Sequence, residues 1–277
     1  GVKVTIVDRG PRPVAFMDPE LSNHFIKAFE DAGGRYLSDR NIASMYWDGV
    51  SEVVTELSDG EVIRSEKAFC ALGRVANVEG LGLENIGINL TRRGHIPVDA
   101  AFCTTVPGHY AVGDVIGFPA LASTSMEQGR RAVLHALNMP VSEDMKVVPV
   151  GIYTIPEMSS VGLSEAEAQE KYGEIRVGRA SFDEVARAHI QGDISGLLKL
   201  VARAEDNVLV GIHVIGAGAA ELVHLGQIAM MSGWTAERLV HTTFNFPTLA
   251  ECYRMAALDL VSDEARHRPA AQAEDAT

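Results

Sequence analysis

The chain opens on Gly1-Val-Lys-Val-Thr-Ile-Val-Asp8, an apolar strand that closes on a carboxylate, and no other feature restricts the fold as much. In a dinucleotide-binding βαβ unit the second strand ends this way, about 20 residues after a Gly-x-Gly-x-x-Gly turn, so that the carboxylate accepts hydrogen bonds from a ribose. No such turn lies ahead of Asp8. The expectation is that the sequence starts within a motif and carries the back half of a larger enzyme. The same residues also fit an ordinary strand followed by a loop aspartate.

The residues after Asp8 suit a layered α/β segment. Asp18-Pro19-Glu20 is an N-cap followed by a first-turn proline, and Leu21, Phe25, Ala28 and Phe29 then share one helical face. Gly33-Gly34 ends that helix. Strands are expected over 42–47, 50–57 and 61–65, with a hairpin at Asp59-Gly60, and the apolar run Ala68 to Leu72 reads as a buried strand. Residues 73–99 form a crossing, Tyr110 to Asp114 a short buried strand ending in Gly-Asp, and Thr124-Ser-Met-Glu127 a capping box. The helix behind that box would turn Met126, Val133, Leu134 and Leu137 to a core.

From Val147 the pattern becomes α+β. Strands are expected over 148–154, 175–182, 196–202 and 208–215, with a helix capped by Ser164 and Glu167 and two closing helices, one from about Ala217 to Met231 and one from Thr248 to about Leu260. Beyond Ser262 the sequence loses periodicity and reads as a disordered tail. A length of 277 residues with 47% hydrophobic side chains suits about two globular domains.

A net charge of −13 repels phosphate backbones and anionic lipid, which argues against nucleic-acid or membrane partners. The apolar stretch Leu209 to Met231 contains His213, Glu221 and His224 and reads as strand, turn and helix rather than a membrane span. Cys70, Cys103 and Cys252 lie far apart, without disulfide or metal-ligand spacing. A reducing, cytoplasmic compartment and no metal are the expectation. His213 and His224 are candidates for a dimer contact, and Arg187-Ala-His189 for an exposed turn.

Thr104-Thr-Val-Pro-Gly-His-Tyr-Ala-Val-Gly-Asp114 is the most specific segment. It resembles the second flavin-contacting motif of the pyridine nucleotide-disulfide oxidoreductases. The resemblance implies that Asp114 holds the ribitol of FAD, that Gly113 allows close approach, and that Thr104 opens the strand. Leu121 and Ala122 would lie over the flavin pyrimidine, with a helix N-terminus aimed at that ring. Ala71-Leu-Gly-Arg74 is similar to the family's closure of the nucleotide domain, where Gly73 would let the nicotinamide half of NAD(P) pass. Asp8 favours NAD, whereas Arg9 and Arg12 suit the 2′-phosphate of NADP, and both cofactors stay open.

Tyr153-Thr-Ile-Pro-Glu157, Gly196-Leu-Leu-Lys199, Ala219-Ala-Glu221 and Pro247-Thr-Leu-Ala-Glu251 extend the resemblance to about residue 260. It implies incomplete Rossmann-like NAD(P) and FAD subdomains, residues 1–74 and 75–146, followed by an α+β dimerisation domain, 147–262, that forms a homodimer. Disulfide-reducing members place a catalytic His directly before the last motif's proline. Here that residue is Phe246, which cannot exchange protons during dithiol chemistry.

Asn245-Phe-Pro-Thr-Leu-Ala-Glu-Cys-Tyr-Arg254 is similar to the soluble, flavin-dependent transhydrogenase branch of the family. That branch implies hydride transfer from NADPH through FAD to NAD⁺, with small nicotinamide nucleotides as substrates and no catalytic acid or base identifiable in these residues. The alternatives are a dihydrolipoamide-dehydrogenase-like thiol-redox enzyme and an inactive dimerising fragment. The chain alone is expected to be inactive and to hold FAD poorly.

Overall fold

The structure, a computed structural model, describes residues 1–141 and 147–267. It divides into two compact units: Gly1–Ala68 with Val147–Thr277, and Phe69–Lys146.

The first unit starts with a βαβ hand. β1 (Thr5–Val7) pairs in parallel with β2 (Arg35–Leu37) across α1 (Pro19–Asp31). As the sequence indicates, Asp18 caps α1 by accepting the Glu20 N–H at 2.9 Å, and Pro19 occupies the first turn where its missing N–H costs nothing. Leu21 is fully buried. Next comes a three-stranded antiparallel sheet, with β3 (Ile42–Trp47), β4 (Val53–Leu57) and β5 (Val62–Ser65) in that order.

In the second unit, Ile88, Ile96 and Ala111 form the core, with Val78, Leu83, Val98 and Val115 against them. Its one long helix among the described residues is α2 (Ala122–Ala136). Two expectations fail here. Ala68 to Leu72 is not a strand, and Phe69 and Leu72 are 93% and 81% exposed. An extended apolar segment becomes a strand only when it hydrogen-bonds to a neighbour, and no described strand pairs with this one. Tyr110 to Asp114 is likewise not a strand: Tyr110 makes a single bridge to Cys103, and residues Gly113–Ile116 form one 3₁₀ turn.

The remainder of the first unit is built on a five-stranded antiparallel sheet in the order β6-β7-β10-β9-β8. Its strands are β6 (Val150–Ile152), β7 (Met158–Gly162), β8 (Ile175–Ser181), β9 (Leu197–Arg203) and β10 (Leu209–Ile215). β7 is not legible from its Met-Ser-Ser-Val-Gly composition. Helices α3 (Glu165–Tyr172), α4 (Ala186–Gln191), α5 (Ala219–Met231), α6 (Ala236–Val240) and α7 (Glu251–His267) complete it. The Ser164–Glu167 capping box forms as expected. Arg187 to His189 is helical rather than a turn, and α7 stays helical to His267, past the expected break at Ser262. The rest of the expected tail, 268–277, lies outside the described residues.

β9 and β10 are covered on both faces, which is why they read as continuous apolar runs rather than alternating ones. Leu198 and Leu200 belong to the large core with Val223, Tyr253, Ala256 and Leu260, whereas Leu197 packs with Met17, Leu21 and Met158 beside α1. His213 is 2% exposed within this sheet, and its Nε2 lies 3.0 Å from the Leu163 carbonyl oxygen. This corrects its expected place at a dimer contact: β10 is interior, and burial holds the imidazole below its ordinary range.

On the α1 side of β9 sits an ion cluster whose Lys199–Asp18 pair is buried and whose other members, Glu20, Glu165 and Arg179, are partly exposed. The Lys199 ammonium lies 3.0 Å from Asp18, 2.8 Å from Glu20 and 2.6 Å from Glu165, and Arg179 adds a forked contact to Glu20 at 2.8 and 3.1 Å. Burial pushes the Glu20 carboxyl up, but the hydrogen bonds from Arg179 and Lys199 outweigh it and leave it lowered to about 2. A carboxyl depressed in the folded state contributes stability that is fully present above its unfolded value of 4.5 and is lost as pH falls toward 2. The urea midpoint is therefore expected to fall more between about pH 5 and about pH 3 in the unmodified chain than in Glu20→Gln. Equal falls would count against it.

Among the described residues no helix is long and apolar enough to cross a membrane.

Candidate functional site

The second unit gathers six of the seven expected site residues. Arg74 follows Gly73, and its guanidinium lies 3.2 Å from the Asp114 carboxylate, which joins the Gly-Arg turn to the Gly-Asp turn. The Asp114 side chain is 47% exposed, so it remains open to a ligand hydroxyl. Gly73 is exposed at φ +92° with open space at its missing Cβ. Thr104 lies on the hairpin that leads to Gly113. Its hydroxyl accepts the Val106 N–H and donates to the Val106 carbonyl, both at 3.2 Å, so it closes a local turn.

Gly113 adopts φ +78°, a conformation that a side chain disfavours, and a Cβ there would meet Ser125 Oγ at 3.1 Å. Its N–H donates to the buried Gln128 Oε1 at 2.7 Å. Gln128 is a residue that sequence reasoning misses: it lies fifteen residues away, on the face of α2 that reads as polar surface. The buried residues of α2 are Thr124, Gln128 and Ala132, whereas Met126, Val133 and Leu137 are exposed. The apolar side chains thus mark the wrong face, because the inner face is spent on holding the Gly-Asp turn.

The expected capping box at Thr124 is absent. Leu121 is the N-cap of α2, and Thr124 Oγ1 donates instead to the carbonyls of Pro119 and Leu121 at 3.0 and 2.8 Å. The helix begins earlier than the polar residues suggest, and no side chain caps it. The first-turn N–H groups near Ala122 are therefore not satisfied by a cap, and the positive end of the helix dipole is exposed at Ala122. Asp8 stands in the first unit at the end of β1, where its Oδ1 accepts the Gly10 N–H at 2.9 Å.

Two descriptions of one family match the chain: pyridine nucleotide-disulphide oxidoreductase over residues 1–129, and the dimerisation domain of the same family over 148–257. The chain belongs to the pyridine nucleotide-disulphide oxidoreductase family. It is 41% identical over 262 residues to the soluble pyridine nucleotide transhydrogenase of Mycobacterium bovis (strain BCG / Pasteur 1173P2), covering 95% of this chain and 56% of that protein. The protein of the same name from Hahella chejuensis is 42% identical over 94% of this chain and 56% of its own. The chain thus spans about half the length of the curated relatives it matches.

Among solved structures, LpdA from Mycobacterium tuberculosis is similar with a TM-score of 0.84 at 29% identity, over 93% of this chain and 56% of that one. The HOCl-induced flavoprotein disulfide reductase RclA from Escherichia coli, at 23% identity and a TM-score of 0.84 over 93% of this chain and 59% of its own, shares the fold.

The residues present suit the ribitol and pyrimidine end of a flavin. Gly113, buried at positive φ, shapes the turn that presents a half-exposed carboxylate able to accept from polyol hydroxyls, and an uncapped helix start offers N–H donors to carbonyl or anionic oxygens. Asp114, Gly113, Leu121 and Ala122 would hold that end of the group.

Proposed function

We propose that this chain supplies the closing parts of an NAD(P)-binding domain (1–74) and an FAD-binding domain (75–146), with a dimerisation domain (147–262), to a homodimeric cytoplasmic enzyme. That enzyme moves hydride from NADPH to NAD⁺. The observation that carries the reading is Phe246. It stands directly before Pro247, 69% exposed, where thiol-handling members use a histidine.

A phenyl ring neither takes up nor returns a proton. Glu251 is committed to its own helix start, accepting the Thr248 N–H at 3.0 Å, and Thr248 Oγ1 donates to the Asn245 carbonyl at 2.7 Å. His241 belongs to the end of α6, five residues earlier. Without a thiol-handling base, the competence left is hydride exchange, and the Mycobacterium and Hahella relatives carry the transhydrogenase name.

Bound flavin would supply the redox centre that takes hydride from one nicotinamide and returns it to another. The protein's part is placement and electrostatics. Asp114 would fix the polyol chain, Gly113 would admit it against backbone, and the α2 N-terminus would stabilise negative charge on the pyrimidine side.

The test is an assay of the full-length enzyme with NADPH and an NAD⁺ analogue of distinct absorbance, run without any dithiol. Transfer is expected, disulfide substrates are expected to be inert, and Asp114→Ala is expected to weaken flavin retention by about tenfold or more. Disulfide reduction without transfer between nucleotides would replace this reading with the thiol-redox one. Flavin content unchanged by Asp114→Ala after dialysis would remove the assignment of that carboxylate.

A further inference from the structure

A second group of reactive side chains lies in the second unit, where the hairpin before the Gly-Asp turn meets the end of α2, and none of it enters the hydride chemistry. The Cys103 Sγ is 3.7 Å from His135 Nδ1, and the Tyr110 hydroxyl is 3.0 Å from the same nitrogen. The Tyr110 and His135 rings meet edge to face, with centroids 5.9 Å apart. The thiol is fixed from behind: the Cys103 N–H donates to Asp99 Oδ1 at 2.9 Å, its carbonyl accepts the Asp99 N–H at 2.9 Å, and it bridges to Tyr110.

The three cysteines differ sharply. Cys252 is fully buried and its thiol is pushed up to about 12 by burial first, so it is inert. Cys70 is exposed, and Cys103 is half-buried. Among the described residues, Cys103 is the cysteine with an imidazole in hydrogen-bond reach.

His135 Nδ1 lies within reach of both the phenol and the thiol, so in the Nε2–H tautomer it can accept from either. When the thiol proton passes to Nδ1, the new N–H faces the sulfur and the phenol oxygen, both able to accept. His135 stands in the last turn of α2. The Tyr110 phenol is held above its ordinary range, first by its hydrogen bond with Cys103 and then by burial, so it stays protonated.

We propose that Cys103, His135 and Tyr110 form a peroxide-reactive thiol site whose substrate class is a small hydroperoxide. Cys103 gives its proton to His135 Nδ1 and attacks the terminal peroxide oxygen. The S–O bond forms as the O–O bond breaks, and the leaving alkoxide or hydroxide takes the proton from His135. Sulfur is oxidised by two electrons to the sulfenic acid, and the hydroperoxide is reduced to an alcohol or to water. No metal, flavin or nicotinamide takes part, so the inference stands apart from the function proposed above.

The test uses the 277-residue chain, a small excess of hydrogen peroxide and a sulfenic-acid-trapping diketone, with labelling at each cysteine followed by peptide mass spectrometry. Cys103 is expected to label about tenfold or more faster than Cys70, and His135→Gln to remove that advantage while leaving Cys70 unchanged. Cys70 serves as the internal reference, and the comparison within the unmodified chain does not depend on any variant folding. Equal rates at Cys103 and Cys70, or an advantage that survives His135→Gln, would overturn the proposal.

Discussion

Replacing Lys199 with alanine is expected to destabilise the first unit by about 3–5 kcal/mol, the range for removing one partner of a buried ion pair, here Lys199 with Asp18. Lys199 is 2% exposed, and the carboxylates of Asp18, Glu20 and Glu165 converge on its ammonium. Burial alone would lower its pKa, yet the hydrogen bonds to Glu165, Glu20 and Asp18 hold it above the ordinary lysine range, so it stays charged. Alanine removes the cation and leaves Asp18, itself fully buried, without its ion-pair partner.

The size of that loss measures the orphaned carboxylate more than the worth of the pair, and a second variant separates the two. Lys199→Met combined with Asp18→Asn fills the space with apolar atoms, removes the buried negative charge and keeps a side-chain oxygen to cap α1. Recovery of half or more of the lost stability in urea denaturation is expected. A Lys199→Ala midpoint matching the unmodified chain would show that the cluster is hydrated and adds nothing.

This cluster also marks the limit of what the sequence discloses. Lys199 interrupts an apolar run and invites no partner from its own neighbourhood, since its carboxylates come from positions 18, 20 and 165. The legible elements carry local signals: Asp18-Pro19 before an amphipathic helix, Asp59-Gly60 between alternating strands, Ser164 and Glu167 as a box. β7 is not legible because Ser159 and Ser160 look like loop residues, although Ser159 is buried and donates to the Val150 carbonyl at 2.8 Å.

The Gly-Asp turn of the site is readable because a glycine at positive φ beside a carboxylate is a chemical pattern. Its supports, Gln128 and Arg74, are not, because each reaches the turn through tertiary contact alone. The register of α2 misleads for a related reason: polar groups buried for a structural task resemble surface, and apolar groups left exposed resemble core.

Gly178→Val is expected to cost about 3 kcal/mol or more, the upper range for overpacking, because the obstructing atoms are backbone. Gly178 lies in β8 under α7. A Cβ there would collide with the Ala256 carbonyl oxygen and stand 2.6 Å from Leu260 Cβ and 2.8 Å from the Leu260 N. No rotamer change relieves a contact with main chain, so the helix must lift from the sheet. That movement would also break the contact next door, where the Arg179 N–H donates to Asp259 Oδ2 at 3.0 Å. α7 contributes Cys252, Tyr253, Ala256, Ala257 and Leu260 to the largest core, each of them fully buried. Loss therefore spreads from one methyl-sized obstruction to the whole helix face, whereas Gly129→Ala on α2, where a Cβ meets open space, is expected to change the thermal midpoint little or to raise it. Equal midpoints for the two variants would mean that α7 does not seat on β8 as closely as these distances require.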